Sequence, residues 1–313
     1  YNYKDRGDVF MSIFENLSLF QLFGVLILSL VPTIILLLLV LYSDKKSREP
    51  LPLIFICVFS GFFTISFSML LGKITLPQLN IFRDVIFNSE SFNIIKIIIL
   101  AMIEEYSKLM VLYVFMSHNK KFDDIYDGFV YSALIALSFA GMETILYVFN
   151  ESTYQDMTSL AVLRDISTIP LHLVCGIAMG YYVAIERFSK TKLYKLRKIA
   201  KSIIIPTFIH SVYNCFFSLT MINLRSKSYA LIVILLFLLS IYAIGVAYLR
   251  KIIDLNKIFI SNGEYPKEYD YLMTKDEFMK NKGLKESKYK NLQEIIYDDE
   301  DDFEPFNNNE NVL

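Results

Sequence analysis

The chain has 313 residues, a formal net charge of −1 and a hydrophobic content of 54%, with 26 Phe, 21 Tyr and no Trp. Its mean hydropathy of +0.43 is too high for an ordinary soluble domain of this length. The composition therefore predicts an integral membrane protein, and no basic footprint for nucleic acid is visible. The cysteines are odd in number and lie in apolar runs, so we interpret them as packing residues.

Seven apolar runs are long enough to cross a bilayer as helices, since about 20 residues span its hydrocarbon core. A helix is the expected form because a segment in lipid must satisfy its own backbone hydrogen bonds. The sequence predicts an all-α, polytopic membrane helical bundle of about seven transmembrane helices, located in the cell membrane. The runs are Leu19–Tyr42, Leu51–Leu71, Ile94–Phe115, Phe129–Phe149, Asp165–Ile185, Ser202–Ile222 and Tyr229–Leu249.

Lys and Arg residues are concentrated in alternate loops, of which 187–201 is the richest. Because cytoplasmic loops carry the excess of basic residues, we expect the N-terminus outside and the C-terminus in the cytoplasm. This orientation divides the chain into an extracytoplasmic segment at 1–18, a transmembrane domain at 19–249 and a cytoplasmic tail at 250–313. The tail ends in an acidic run and an Asn-rich stretch, and we expect it to be partly disordered.

The third run carries Glu104, Glu105 and Lys108 at its centre. A charged residue at the centre of a membrane helix costs roughly 2.5–3.5 kcal/mol on insertion scales, so this group indicates a function. Glu104 and Lys108 are four residues apart and share a helix face. We therefore expect the ammonium to neutralise Glu104, whereas Glu105 points about 100° away.

Three further runs carry polar residues at a similar depth: Glu143, His172, and His210 with Asn214. With a rise of about 1.5 Å per residue, all of them fall between the outer leaflet and the midplane in the expected orientation. We therefore expect one shared polar cavity that is open to the outside. A desolvated carboxylate beside a lysine can act as a general base on water. His210 and Asn214, one turn apart, form a donor pair that suits an oxyanion.

Other interpretations of these residues stay open. Glu104 and Lys108 could form a structural ion pair, Glu143 an interhelical hydrogen bond, and the histidines could be packing groups. The whole set could also form the relay of a proton- or cation-coupled transporter, although the inverted repeats typical of transporters are not evident in the sequence. A third alternative is a catalytically inactive membrane scaffold.

Four short motifs, in order between Met102 and Asn214, resemble those of the PrsW family of intramembrane proteases, whose relatives include CAAX prenyl endopeptidases and bacteriocin-processing enzymes. The string from Glu104 to Lys108 resembles the EExxK motif. Each motif lies on its own predicted helix. The other three are Asp127 to Tyr147, with Phe139 four residues before Glu143; Arg164, Thr168, Pro170 and His172; and the HxxxN string from His210 to Asn214.

The resemblance implies a peptide-bond hydrolase that works inside the membrane. It implies that Glu104 is the general base on water and that Glu105 is its partner or orients the substrate. His210 and Asn214 would stabilise the oxyanion, and Glu143 and His172 would position water or a metal. Supporting roles fall to Lys108, Phe139 and Arg164.

The resemblance also implies a substrate and leaves the use of a metal open. The substrate would be a single-pass membrane protein similar to an anti-sigma factor, cut on its extracytoplasmic side. Metal use remains unknown: no HExxH pattern appears and we favour a metal-free glutamate mechanism, but zinc stays open. The sequence departs from the family pattern at Thr144, where an Asn commonly follows the motif Glu. The candidate metal ligands are Glu104, Glu143, His172 and His210.

Overall fold

The computed structural model describes residues 17–44, 49–81, 89–116, 119–223 and 229–282. Within these ranges the chain is a bundle of helices, and an isolated β-bridge joins Ser189 and Leu272. The predicted polytopic helical bundle is therefore confirmed. The helices are α1 (Leu19–Ser43), α2 (Leu51–Ile81), α3 (Ser89–Val111), α4 (Ile125–Val148), α5 (Tyr154–Ile166), α6 (Thr168–Arg187), α7 (Lys192–Asn223), α8 (Ala230–Ile260) and α9 (Lys275–Lys282).

Six of the seven predicted spans are long and apolar enough in the described chain to cross a membrane, with α5 and α6 together forming one of them. The seventh, α3, is a helix of 23 residues. Its composition and not its length sets it apart, because the charged residues Lys96, Glu104, Glu105 and Lys108 interrupt its apolar sequence. The orientation of the termini stays a prediction.

Helices α4 and α6 form the centre of the bundle. In the most apolar stretch of α4, 83% of the residues are buried, and the span that ends in α6 reaches 89%. The corresponding values for α1 and α8 are 22% and 17%, so most of their side chains face outward. A helix that is apolar all round belongs in an interior, whereas lipid can cover the outer helices. Polar side chains on α4 and α6 therefore need partners from within the protein.

Small residues let α4 and α6 approach closely. A Cβ atom added at Gly180 would collide with the carbonyl oxygen of Gly128, and one at Gly176 would lie 2.8 Å from the Ala136 Cβ. Close approach through small residues is the usual way in which membrane helices gain packing energy. The two backbones are thus held in contact, which fixes the spacing between side chains that project from them.

Several helices extend beyond the apolar runs that predicted them. Helix α2 continues to Ile81, α7 begins at Lys192 and α8 continues to Ile260, so position 249 lies inside a helix. The length of an apolar run corresponds to the thickness of the hydrocarbon core, whereas the helix itself can continue into the headgroup region. Helix α5 lies mostly between two predicted spans, Phe129–Phe149 and Asp165–Ile185.

The chain after α8 packs back onto the bundle. The Lys190 N–H donates to the Tyr271 carbonyl at 2.8 Å, and the Met273 N–H donates to the Phe188 carbonyl at 2.8 Å. Leu272 and Phe278 are buried. The segment 264–282 is therefore attached to the α6–α7 connection. The division at 18 and 249 stays a prediction, and the acidic end of the tail lies outside the described residues.

Candidate active site

Helix α3 places Glu105 and Lys108 in direct contact. The Lys108 Nζ lies 2.7 Å from the Glu105 Oε1, and both side chains are buried. The expectation that Lys108 neutralises Glu104 is therefore wrong. Side chains three and four residues apart are both neighbours on a helix. The ammonium is drawn toward Glu105 because it lies 4.3 Å from the centroid of the Phe139 ring and 2.8 Å from the His172 Nδ1.

His172 on α6 lies between Lys108 and Glu143. Because an ammonium can only donate, the His172 Nδ1 accepts from Lys108. The Nε2 then carries the proton and donates to the Glu143 Oε2 at 3.0 Å. The ring also contacts the edge of Phe139, with centroids 5.3 Å apart. Both ring nitrogens are engaged, and the ring is fixed in position.

Glu143 on α4 is paired with Arg164 at the end of α5. The Arg164 Nη2 lies 2.6 Å from the Glu143 Oε2, and the Nε donates to the Thr144 Oγ1 at 3.1 Å. The guanidinium carbon lies 4.5 Å from the centroid of the Tyr147 ring. Thr144, which departs from the family pattern, thus serves as an acceptor for Arg164. Tyr147 covers the other side of the guanidinium.

His210 on α7 lies between Glu105 and Glu104. Its Nδ1 is 2.8 Å from the Glu105 Oε1 and donates to it, so the Nε2 of the neutral ring presents a lone pair. That lone pair faces the Glu104 Oε2 at 3.7 Å, which is too long for a hydrogen bond. The Glu104 Oε2 has no hydrogen-bond partner among the described residues. With a neutral imidazole and an ionised carboxyl group, two acceptors face each other across this gap, whereas a protonated imidazole would form an ion pair with Glu104.

Asn214 lies one turn beyond His210 and is half-buried. No hydrogen bond joins its carboxamide to the part of the chain that the structure describes. Its amide group is therefore free to contact a bound molecule. The His210 ring also stands perpendicular to that of His172, with centroids 5.0 Å apart.

The predicted site residues of four helices and of the end of α5 thus meet in one place. Glu104, Glu105, Lys108, Glu143, Arg164, His172 and His210 form a continuous series of contacts, with Phe139 beneath the ammonium and Asn214 next to them along α7. Sequence reasoning named Thr144 and Tyr147 within the second motif without giving them a role, and it missed Tyr213. Tyr213 could have been found, because it follows His210 by three residues and shares its helix face.

The cations of this pocket are unevenly distributed among its carboxyl groups. Lys108 is paired with Glu105 and Arg164 with Glu143, whereas no lysine or arginine of the described residues is paired with Glu104, whose Oε2 lies 3.7 Å from the His210 Nε2. The Glu104 side chain is 20% exposed, whereas that of Glu105 is fully buried. A carboxylate without a cation in a desolvated pocket is held only if it binds a proton, water or a metal ion. The Glu104 carboxyl group is thus available to bind a proton, a water or a metal ion.

Three of the four candidate ligands could hold one metal ion. Ligand atoms of Glu104, His172 and His210 all lie within 4.8 Å of one another. Glu143 is not part of this group, and its Oε2 already accepts from Arg164 and His172. A carboxylate oxygen and two imidazole nitrogens are ligands that catalytic zinc sites use.

A pocket of carboxylates and imidazoles inside a membrane-spanning helical bundle is an arrangement suited to an intramembrane protease. A family model described as "PrsW family intramembrane metalloprotease" matches residues 49–243, which include every residue of the pocket. This match covers more than half of the chain, so the protein belongs to the PrsW family of intramembrane proteases. The resemblance drawn from the four motifs is confirmed.

Curated relatives agree with this membership. The chain is 25% identical over 237 residues to "Protease PrsW" of Clostridioides difficile (strain 630), which covers 75% of this chain and 94% of the relative. It is 25% identical over 193 residues to "Protease PrsW" of Bacillus subtilis (strain 168), covering 62% of this chain and 82% of the relative. No solved structure matches the chain. The protein is thus a multi-pass membrane protein, and for a bacterial family the cell membrane is its expected location.

Proposed function

We propose that this protein is an endopeptidase that hydrolyses a peptide bond of a single-pass membrane protein, with Glu104 as the group that activates water. The observation that carries the proposal is the charge balance of the pocket. Glu105 and Glu143 each lie against a lysine or an arginine, at 2.7 and 2.6 Å, whereas Glu104 has neither as a partner among the described residues and lies 3.7 Å from the His210 Nε2. An unpaired carboxylate that is partly exposed can take a proton from water.

The remaining pocket residues support this role by fixing the charges around Glu104. Lys108 holds Glu105 and His172 at the same time, through contacts of 2.7 and 2.8 Å. Glu105 in turn orients His210 through the Nδ1. Because these groups are already bonded to one another, the pocket needs little rearrangement when charge develops during the reaction.

Hydrolysis would proceed with Glu104 accepting the proton of a water whose oxygen attacks the carbonyl carbon of the substrate. The proton then passes to the leaving amine, as general acid–base catalysis requires. The free carboxamide of Asn214 would donate to the oxyanion. His210 could donate there only when protonated, because its one ring proton in the neutral form is committed to Glu105.

The family description implies a metal, and the pocket residues fit one. The Glu104 Oε2 has no partner among the described residues and faces the His210 lone pair at 3.7 Å, so a cation between them would satisfy both. Glu104, His172 and His210 would hold it, and a zinc ion would supply a Lewis acid that lowers the pKa of a bound water. His172 would first have to release Lys108 or lose its Nε2 proton, since both nitrogens are engaged.

The substrate we propose is similar to an anti-sigma factor and is cut near the outer leaflet. The family resemblance supports this substrate. The depth of the polar residues in the predicted orientation supports cleavage on the extracytoplasmic side. The C-terminal tail would then lie on the opposite side of the membrane from the cut.

The test uses purified protein in lipid and a panel of single-pass membrane proteins. We expect Glu104→Gln to lower kcat at least about a hundredfold, since general acid–base catalysis contributes about 10²–10⁴-fold. The matched control is Glu151→Gln, the same chemical change in the loop between α4 and α5. Equal cleavage by the wild type and Glu104→Gln, or cleavage by neither, contradicts the proposal.

Element analysis of the same samples decides how water is activated. About one zinc per chain that disappears in both Glu104→Gln and His210→Ala, together with loss of activity on chelation, would assign the metal route. Chelator-resistant activity in protein that holds no metal would assign direct proton transfer to Glu104. The zinc content of Glu151→Gln should equal that of the wild type in either case.

A further inference from the structure

The joint between α5 and α6 is formed by Ser167, whose backbone (φ −123°, ψ −61°) departs from helical values. Its hydroxyl donates to the Leu163 carbonyl at 2.5 Å, and its N–H donates to the Arg164 carbonyl at 3.3 Å. These bonds satisfy carbonyls at the end of α5. Because the hydroxyl is used there, it makes no cap for the first turn of α6. The angle between α5 and α6 therefore depends on the other contacts of Ser167.

Tyr213 of α7 holds the joint through a chain of hydroxyl groups. Its hydroxyl donates to the Ser167 Oγ at 2.9 Å and lies 3.1 Å from the Thr168 Oγ1. Since the Ser167 proton points to Leu163 and the Tyr213 proton to Ser167, Thr168 is the donor in the last contact. Tyr213 is buried, and its ring packs against Phe217 with centroids 4.6 Å apart. The donor and acceptor of each hydrogen bond in this chain of hydroxyl groups can therefore be assigned in only one way.

The joint lies between two residues that bind the same atom. Arg164, three residues before Ser167, and His172, five residues after it, contact the Glu143 Oε2 at 2.6 and 3.0 Å. On a continuous helix, residues eight apart are separated by about 12 Å along the axis. The break at Ser167 therefore helps both side chains to reach one carboxylate oxygen.

We propose that Tyr213 is a positioning residue for the reaction: through Ser167 and Thr168 it sets the joint that keeps Arg164 and His172 on Glu143. The inference rests on the proposed function, in which Glu143 and His172 belong to the catalytic pocket. Helix α7 then contributes to the pocket through two residues that are three positions apart, His210 and Tyr213. It brings His210 to Glu105, and through Tyr213 it fixes the helices that hold Glu143 in place.

The first test is the kinetics of Tyr213→Phe in the full chain, which removes one hydroxyl and keeps the ring. We expect kcat to fall about tenfold with KM unchanged, because small misplacements of catalytic groups lower rates strongly. Ser167→Ala removes the same bond from the other side and should reproduce the effect. Tyr248→Phe is the matched control, since its hydroxyl contacts that of Tyr182 at 3.1 Å outside the pocket, and it should retain the wild-type kcat.

A double-mutant cycle separates positioning from general stability. If Tyr213 acts through Arg164, then Tyr213→Phe should cause no further loss in an Arg164→Gln background, whereas independent effects would multiply. A full tenfold loss in that background overturns the inference, as does a wild-type kcat for Ser167→Ala or Tyr213→Phe. If one of these two variants does not fold, the other decides. Failure of the proposed function would appear separately, as equal cleavage by the wild type and Glu104→Gln.

Discussion

Helix α4 carries a buried carboxyl group near each end, Asp127 in the first turn and Glu143 before the last, and their surroundings differ. Glu143 lies 2.6 Å from the guanidinium of Arg164. The Asp127 Oδ2 accepts instead from the backbone N–H groups of Asp123 and Asp124 at 2.8 and 2.9 Å, and its Oδ1 has no hydrogen-bond partner among the described residues. At the same end, Tyr131 donates its hydroxyl proton to the Glu49 Oε2 at 2.5 Å. A cation neutralises the carboxyl group at one end of the helix, whereas backbone N–H groups hold the carboxyl group at the other.

The acidic end includes two more carboxyl groups outside the membrane-spanning helices. Burial raises the pKa of Asp44 from its ordinary value of 3.8 to about 8, and the charges of Asp124 and Glu49 add to the effect. Burial also raises the pKa of Asp124 and of Glu49. A carboxyl group in a desolvated site either finds a cation or keeps its proton. In the proposed function, hydrolysis takes place at the end of α4 where the carboxyl group has a cationic partner.

The largest expected effect comes from removing the cation at the charged end. Lys108→Met would leave Glu105 buried without its partner and should lower the free energy of unfolding by about 3–5 kcal/mol. The double variant Lys108→Met with Glu105→Gln should recover most of this stability but no activity. Thermal unfolding in detergent measures both. Unchanged stability of Lys108→Met would mean that this end also accepts protonated carboxyl groups, and the comparison would fail.

A smaller effect is expected from the close contact between α4 and α6 at the acidic end. Gly180→Ala places a Cβ against the Gly128 carbonyl and should destabilise the protein by about 1–3 kcal/mol, with reduced cleavage because α4 and α6 must separate. Gly24→Ala is the matched control, because a Cβ there meets nothing within 4 Å. Equal melting temperatures for the two variants would show that the close approach does not determine stability.

The smallest effect concerns pH at the acidic end. Because the pKa of Asp44 is higher in the folded protein, its contribution to stability is complete below about pH 4 and is lost as the pH rises toward 8. Asp44→Asn, which cannot ionise, should therefore raise the melting temperature more at pH 8 than at pH 5, because pH 5 lies nearer to the ordinary pKa of 3.8. Asp270→Asn, at an exposed position, should change neither value. A gain from Asp44→Asn that is equal at both pH values would contradict the raised pKa.

The sequence predicted the bundle and most of the pocket for physical reasons that are easy to state. Long apolar runs locate membrane helices, and the cost of burying Glu104, Glu105 and Lys108 marks the site. Which of the two glutamates Lys108 would contact was not predictable. It depends on Phe139 and His172, which lie on other helices, and the local spacing allows either glutamate as partner.

Features that depend on irregular backbone were also missed. Helix α5 is too short and too polar to resemble a span, yet it carries Arg164 to Glu143. The joint at Ser167 gives no signal in apolar periodicity, because the chain on both sides of it is helical. Tyr213 was overlooked since a tyrosine in an apolar helix is ordinary unless its hydroxyl partner is known.

The segment that follows α8 determines where the protein can be shortened. Phe188 is fully buried between the rings of Phe259 and Phe278, with centroid distances of 4.8 and 4.6 Å. Ending the polypeptide at 249, where the apolar run stops, would remove both rings and leave an aromatic surface open to solvent, which favours aggregation. A version that ends after Lys282 keeps this aromatic cluster covered.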